Sequence, residues 1–161
     1  MTAWLAFRFG AAFAAEPPPQ AVIVEGPKVV PLAPDALRAR LFAPAEGGRI
    51  VNFWATWCAP CVAEIPTLVA YARAHPGVEV VMVDLDLPKL RQSKVVPFLR
   101  EHAPDHVVHL QLDAADPVAG GPKVMPDFPH VVPLTLVIGP DGTVTQRIER
   151  SITAGDLPSA P

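Results

Sequence analysis

Two cysteines three positions apart are the residues of this 161-residue chain best suited to covalent chemistry. Cys58 and Cys61 are its only cysteines, and they follow an apolar run at residues 50–55 that is typical of a buried strand. Residues three apart at the start of a helix lie about 5 to 6 Å apart at Cβ, so a small adjustment can join the two sulfurs in a disulfide. The pair therefore predicts reversible thiol and disulfide chemistry.

The start of a helix favours the thiolate form of the first cysteine. Helix N-termini expose unpaired N–H groups and the positive end of the helix dipole, so we expect Cys58 to be the nucleophile. Cys61, one turn further into the helix, is the expected resolving thiol. Ala59 and Pro60 form the loop between the sulfurs, and Pro60 stiffens it where the helix loses no hydrogen bond.

Two other uses of the cysteine pair stay open at this point. A structural disulfide would close a loop of only four residues and would restrict the unfolded chain very little. A structural zinc site would need two further ligands, and the chain has no second cysteine pair to supply them. A C-x-x-C pair between a strand and a helix favours a redox-active pair over both.

Residues 52–61, NFWATWCAPC, followed by Glu64 and Pro66, resemble the active-site segment of thioredoxin-fold disulfide reductases, above all the TlpA/ResA branch of extracytoplasmic reductases. A second segment, residues 131–144, is similar to the cis-proline loop, strand, turn and strand of that fold. Together the segments bracket about residues 50–150. The resemblance implies an α/β, thioredoxin-like fold, with a central mixed sheet flanked by helices.

The resemblance also implies roles for residues outside the cysteine pair. A cis bond between Val132 and Pro133 would face the cysteines, and the Val132 backbone would pair with an incoming peptide. Trp57 would lie beside the sulfurs as a contact surface. Glu64 would tune the titration of the cysteines by general acid and base action, because Asn52 replaces the buried Asp of cytoplasmic thioredoxin.

Two of these roles have a plainer alternative. Pro133 in the trans form could begin an edge strand, and Glu64 could lie solvated on the helix face opposite Ile65 and Leu68. Trp54, three residues before Trp57, is expected to belong to the core.

The activity that the resemblance implies is thiol–disulfide oxidoreduction, in which a disulfide of a client protein is reduced. Apocytochrome c and copper-site cysteines are the implied client classes. Electrons would come from an upstream, membrane-embedded thiol reductant protein, so we expect no cofactor and no metal. The protein is expected to be a monomer in the periplasm or elsewhere outside the cytoplasm, free or membrane-tethered.

Two further activities are alternatives to this one. A copper metallochaperone could combine the cysteines with one of His102, His106, His109 and His130, but the copper carriers of this fold use C-x-x-x-C. We therefore expect these histidines to lie on the surface. A thiol peroxidase would need a P-x-x-x-T-x-x-C setting, which the residues before Cys58 do not supply.

Charge and composition exclude two classes of partner. The formal net charge is -3 and half of the residues are hydrophobic. No Lys/Arg cluster provides the electrostatic footprint that nucleic acid or an anionic membrane requires. The 21 prolines are scattered, which indicates many turns and extended connections rather than a repeat protein.

The chain divides into three parts. Residues 1–15 resemble the tail of a secretory signal peptide, although an ordinary apolar segment is the alternative. Residues 16–34 form a Pro-rich arm, in which residues 21–24 and 29–30 predict the two strands of an edge hairpin. Residues 35–158 form the thioredoxin-like domain.

The remaining elements follow from periodicity and breakers. Residues 34–41 and 93–102 predict helices, and residues 113–129 predict a long loop that shapes access to the cysteines. Asp84 and Asp86 are expected to be solvated loop acids rather than metal ligands. The chain after the last strand is short, which predicts a shortened C-terminal helix.

Overall fold

A mixed sheet forms the centre of the protein. The computed structural model describes residues 27–103 and 105–159. The strands of the sheet are β1 (Val29–Leu32), β2 (Arg49–Trp54), β3 (Glu79–Asp84), β4 (Val108–Leu112), β5 (Leu134–Ile138) and β6 (Val144–Ile148). Across the sheet they follow the order β1-β4-β3-β2-β5-β6. The first four in that order are parallel, whereas β5 is antiparallel to β2 and β6 is antiparallel to β5.

Helices flank this sheet, as the predicted thioredoxin-like fold requires. They are α1 (Pro34–Phe42), α2 (Ala59–Ala74), α3 (Val96–His102) and α4 (Pro117–Val124). A 3-10 turn at Pro88–Leu90 and a π-helical turn at Arg91–Val95 lead into α3. The helices predicted at residues 34–41 and 93–102 are therefore confirmed, the second with a π-helical first turn.

The strand before the cysteines lies in the middle of the sheet. All six residues of β2 are buried, because β3 pairs along one edge and β5 along the other. A strand buried on both faces has little freedom to shift, so the loop that follows it starts from a fixed point. Four residues separate β2 from helix α2, which continues through Pro66 without interruption.

The segment predicted as a long loop at residues 113–129 contains helix α4, so that prediction was wrong. Its glycines and proline argue against a helix in isolation, but tertiary packing reverses the preference. Asp116 caps the helix by accepting a hydrogen bond from the Ala119 N–H at 3.0 Å. At Gly121 an added Cβ would lie 2.2 Å from the Phe128 ring, so glycine there permits close packing rather than flexibility.

The N-terminal arm contributes a strand to the main sheet. Val29–Leu32 forms β1, which pairs in parallel with β4 at the edge of the sheet. Residues 1–15 and 21–24, on which the leader segment and the first hairpin strand were predicted, lie outside the described residues. Both of those interpretations stay predictions.

The described residues after β6, 149–159, contain a 3-10 turn at Ala154–Asp156 and no α-helix. Asp156 accepts hydrogen bonds from the Thr153 N–H and from the Arg150 guanidinium, and Ile152 and Leu157 pack into the core. This segment therefore anchors itself without a full helix.

Two expectations about polar residues were wrong. Asp84 and Asp86 are 1% and 0% exposed, because they lie where the ends of β3 and β4 are covered by the loop after β2. His109 is also buried, since β4 lies between β1 and β3, and its Nε2 lies 2.8 Å from the Ala103 carbonyl oxygen. His102, His106 and His130 are exposed, as predicted.

Candidate active site

Cys58 and Cys61 form a disulfide at the N-terminus of α2. The S–S distance is 2.03 Å and the Cα atoms are 5.2 Å apart. Cys58 is the N-cap residue of the helix, and its sulfur accepts a hydrogen bond from the Cys61 N–H at 3.3 Å. The predicted pairing is confirmed, and the sulfur of Cys58 lies where unpaired helix N–H groups stabilise negative charge.

The two sulfurs differ in access. Cys58 keeps 5% of its surface exposed, whereas Cys61 is completely covered. A turn closed by the Cys58 N–H and the Ala55 carbonyl oxygen, 3.1 Å apart, brings the first cysteine to the surface. Cys58 is therefore the more accessible of the two sulfurs, and the order of nucleophile and resolving thiol stays a prediction.

The peptide bond between Val132 and Pro133 is cis, as predicted. Pro133 is buried at the start of β5, and the Val132 carbonyl oxygen lies 3.6 Å from the Cys58 sulfur. The backbone immediately before β5 therefore borders the disulfide directly.

Exposed apolar side chains surround the disulfide. Trp57, 56% exposed, directly precedes Cys58 in the chain. Val131, 64% exposed, directly precedes Val132, whose carbonyl oxygen borders the sulfur. Leu87, 39% exposed, lines a depression of about 270 Å³ together with Trp57 and Val118. Trp54, in contrast, is completely buried, as predicted. A contiguous exposed apolar patch commonly marks an interaction site, and Trp57 and Leu87 line one depression.

Glu64 is a buried carboxylate one turn after Cys61. It is 2% exposed, so the solvated alternative is wrong. One carboxylate oxygen accepts from Asn52 Nδ2 at 2.7 Å, and the other accepts from the Ile152 N–H at 2.8 Å. Burial raises the pKa of Glu64, although both hydrogen bonds oppose that shift. A carboxyl group with a raised pKa is better matched to exchange protons with a thiol.

Asn52 connects Glu64 to the strand after the cis bond. Its side-chain amide donates to Glu64 and also to Thr135 Oγ1 at 2.9 Å. The resemblance had indicated Asn52 and Glu64, but not Thr135 or the Ile152 backbone. No local pattern could have identified these two, because β5 and the C-terminal segment reach Glu64 only through the folded sheet.

The described residues contain no group of three His, Cys, Asp or Glu side chains arranged to hold a metal ion. The histidine that packs closest into the sheet, His109, has its pKa lowered by burial and contacts a backbone carbonyl instead. Neither observation supports the metallochaperone alternative.

Named proteins of similar sequence are thiol–disulfide enzymes. The thiol-disulfide oxidoreductase ResA of Oceanobacillus iheyensis is 34% identical over 112 residues, which are 68% of this chain and 53% of that protein. The thiol:disulfide interchange protein DsbE homolog of Paracoccus denitrificans is 43% identical over 72 residues, 44% of this chain and 34% of that protein. The chain thus spans about half of the first relative and a third of the second.

Solved structures and a family model identify the fold and the family. The crystal structure of a thioredoxin-related protein from Neisseria meningitidis serogroup B superimposes with a TM-score of 0.54 at 26% identity, over 68% of this chain and 78% of that one. The model of the AhpC/TSA family matches residues 39–147, which include the disulfide, Glu64 and the cis bond. The chain has a thioredoxin fold and belongs to the AhpC/TSA family.

Proposed function

We propose that the protein is a thiol–disulfide oxidoreductase that reduces disulfides of client proteins. The observation that carries this proposal is the Cys58–Cys61 disulfide at a helix N-terminus, with only Cys58 reaching the surface. A purely structural disulfide between these two residues would add little stability, because closing a four-residue loop restricts the unfolded chain very little. The names of the similar proteins support the same activity.

The reaction transfers two electrons from the cysteine pair to the client. The Cys58 thiolate attacks one sulfur of the client disulfide, a mixed disulfide forms, and the other client sulfur leaves as a thiolate. The Cys61 thiol then loses its proton, and its thiolate attacks the Cys58 sulfur. The client leaves as a dithiol, and the protein keeps the Cys58–Cys61 disulfide.

Glu64 is the group that we assign to the proton of Cys61. The two residues are three apart on α2, so their Cβ atoms lie about 5 to 6 Å from each other. Both side chains are buried, and water has little access to the Cys61 thiol. The Glu64 carboxylate accepts the thiol proton as the thiolate forms and returns it when the pair is reduced again.

The client binds as an extended strand beside the cis bond. The Val132 backbone forms main-chain hydrogen bonds with this strand next to the sulfur. Hydrogen bonds of this kind do not depend on the identity of the client's side chains. Trp57, Val131 and Leu87 supply apolar contacts on either side. We therefore propose a client segment with apolar residues around its cysteine pair. Apocytochrome c and copper-site proteins are the client classes that the resemblance implies.

We also propose that the protein acts outside the cytoplasm and receives electrons from a membrane-embedded thiol reductant. One structural relative is described as a secreted disulfide oxidoreductase of Mycobacterium tuberculosis, which supports export. Among residues 27–103 and 105–159, no helix has the length and apolar character needed to cross a bilayer. Thiols outside the cytoplasm meet oxidising conditions, so a dedicated electron supply is required for reduction.

A charge on the apolar surface should slow the reduction of proteins but not of small disulfides. We expect Leu87→Asp to lower the rate of reduction of a disulfide-bonded protein, such as insulin, by about tenfold, the cost of about 1.4 kcal/mol from one lost apolar contact. Reduction of oxidised glutathione should change less than about twofold. Turnover with dithiothreitol as the electron source measures both rates.

Val144→Asp is the matched control for that experiment. Val144 is 42% exposed but belongs to β6, at the edge of the sheet away from the disulfide. It should leave both rates unchanged. Equal slowing of insulin reduction by both variants would contradict the proposed client surface.

A further inference from the structure

Two buried carboxylates lie directly beneath the loop that carries Cys58. Asp84 ends β3 and Asp86 follows two residues later, and neither is more than 1% exposed. The sequence pattern had indicated loop acids in contact with water. Buried carboxylates are costly unless they are hydrogen-bonded, so their partners show what the pair holds in place.

Asp86 accepts two hydrogen bonds from the loop before Cys58. One of its carboxylate oxygens accepts from the Thr56 N–H and the other accepts from Thr56 Oγ1, each at 2.7 Å. Thr56 lies inside the turn that the Cys58 N–H and the Ala55 carbonyl oxygen close. The two hydrogen bonds therefore fix the turn that presents Trp57 and Cys58.

Asp84 anchors Asp86 to the sheet. Its carboxylate accepts from the Asp86 N–H at 3.1 Å and from Gln111 Nε2 at 2.6 Å. Gln111 is completely buried in β4 and also approaches the Asp86 carbonyl oxygen, at 3.4 Å. A continuous chain of hydrogen bonds thus runs from β4 through both acids to Thr56.

Charged groups of the surrounding elements complete this environment. Lys94 Nζ, from the π-helical turn, lies 3.9 Å from Asp86 Oδ1. Asp116, the N-cap of α4, lines the same depression as Asp86. Burial, and next the neighbouring Asp86 carboxylate, raise the pKa of Asp84 to about 8. Asp84 therefore holds its proton at neutral pH and loses it just above.

We propose that Asp84 and Asp86 are positioning residues that hold the Thr56–Cys58 loop in the conformation that stabilises the Cys58 thiolate. This inference rests on the proposed function for its biological meaning, but its test needs no client. The thiolate depends on the distance of 3.3 Å between the Cys58 sulfur and the Cys61 N–H, and a loosened turn lengthens that distance. Ionisation of Asp84 adds a negative charge to the pair and weakens its hold on the loop.

Thr56→Val tests the positioning without changing any charge. Valine has the shape of threonine but lacks the hydroxyl that donates to Asp86 Oδ1, whereas its backbone N–H can still donate to Asp86 Oδ2. Position 56 is half-buried, so the variant is expected to fold. We expect alkylation of reduced Cys58 by iodoacetamide at pH 7 to slow by about threefold to tenfold, the range for one lost hydrogen bond. The midpoint potential should become more negative by about 15 to 30 mV, which is the same factor converted for a two-electron couple.

Asp84→Asn tests the titration. Asparagine keeps the shape and an acceptor for the Asp86 N–H, but it does not ionise. The wild-type profile of alkylation rate against pH should show a break near pH 8 in addition to the titration of Cys58 itself, and this break should be absent from the variant. Asp113→Asn, an exposed acid that follows β4, is the matched control and should keep the break.

The outcomes separate this inference from the proposed function. A slower Cys58 in Thr56→Val and a lost break in Asp84→Asn support the positioning role, even in a protein that fails to reduce insulin. Wild-type alkylation rates and potential in a folded Thr56→Val variant overturn it, even in a protein that reduces insulin well. A break that persists in Asp84→Asn overturns the assignment to Asp84.

Discussion

Replacement of Cys58 by serine should abolish disulfide reduction. We expect the turnover of insulin with dithiothreitol to fall by about a thousandfold or more, as when a covalent nucleophile is removed from an enzyme. A serine hydroxyl does not ionise near neutral pH, so the hydrogen bond from the Cys61 N–H has no thiolate to stabilise. The rate of insulin reduction above the background of dithiothreitol alone measures the loss.

Cys61→Ser is the companion variant, and it should fail in a different way. Cys58 remains able to attack, but nothing resolves the mixed disulfide, so an adduct of protein and client should accumulate. Mass spectrometry under non-reducing conditions detects this adduct. An adduct in Cys58→Ser but none in Cys61→Ser would reverse the assigned roles and contradict the difference in exposure between the two sulfurs.

Replacement of Glu64 by glutamine should slow the resolving step by about a hundredfold, the lower range for general acid and base catalysis. Glu64 accepts the Cys61 proton only when ionised, and burial raises its pKa. The wild-type rate should therefore rise as the pH passes through this raised pKa, and the variant should lack the rise. Single-turnover decay of the mixed disulfide between about pH 5 and pH 9, a range around the ordinary pKa values of Glu and Cys, measures both.

Glu101→Gln is the matched control for the Glu64 variant. Glu101 is an exposed glutamate on α3, and its replacement should leave the rate and the pH profile unchanged. A Glu64→Gln variant with a wild-type pH profile would show that Glu64 acts only as a structural acceptor for Asn52 and Ile152.

The ionisation of Glu64 should make the stability of the wild-type protein fall with rising pH. A raised pKa in the folded state means that stability is highest below the ordinary pKa of 4.5 and is lost as the pH rises through the raised value. Glutamine cannot ionise, so it escapes this loss, but it can accept only one of the two hydrogen bonds. The measured stability of the variant at neutral pH therefore reports which of the two effects is larger.

The parts of the site that are local in sequence were predictable. The strand, the cysteine pair and the start of α2 are contiguous, and the chemistry of each residue limits where it can lie. The cis bond at Pro133 was predicted through resemblance, since no periodicity distinguishes it from a trans proline at a strand edge.

The parts that depend on packing were not predictable. Gly120 and Gly121 indicate a loop, yet the Phe128 ring approaches so closely that glycine is the residue that fits at position 121 of α4. The sequence pattern around Asp84 and Asp86 predicted solvated acids. Their partners, Thr56 and Gln111, lie on other strands or loops, so the local sequence does not reveal them. A buried carboxylate and an exposed one can have the same local sequence pattern, and only the folded structure distinguishes them.

The midpoint potential of the Cys58/Cys61 pair tests the central proposal most directly. It is measured in metal-free protein equilibrated with glutathione or dithiothreitol buffers. A reductase that is supplied with electrons by another protein should have a potential near that of thioredoxin, roughly -270 mV. A potential near that of the strong oxidant DsbA, roughly -120 mV, would identify a disulfide donor and contradict the proposed reduction of client proteins.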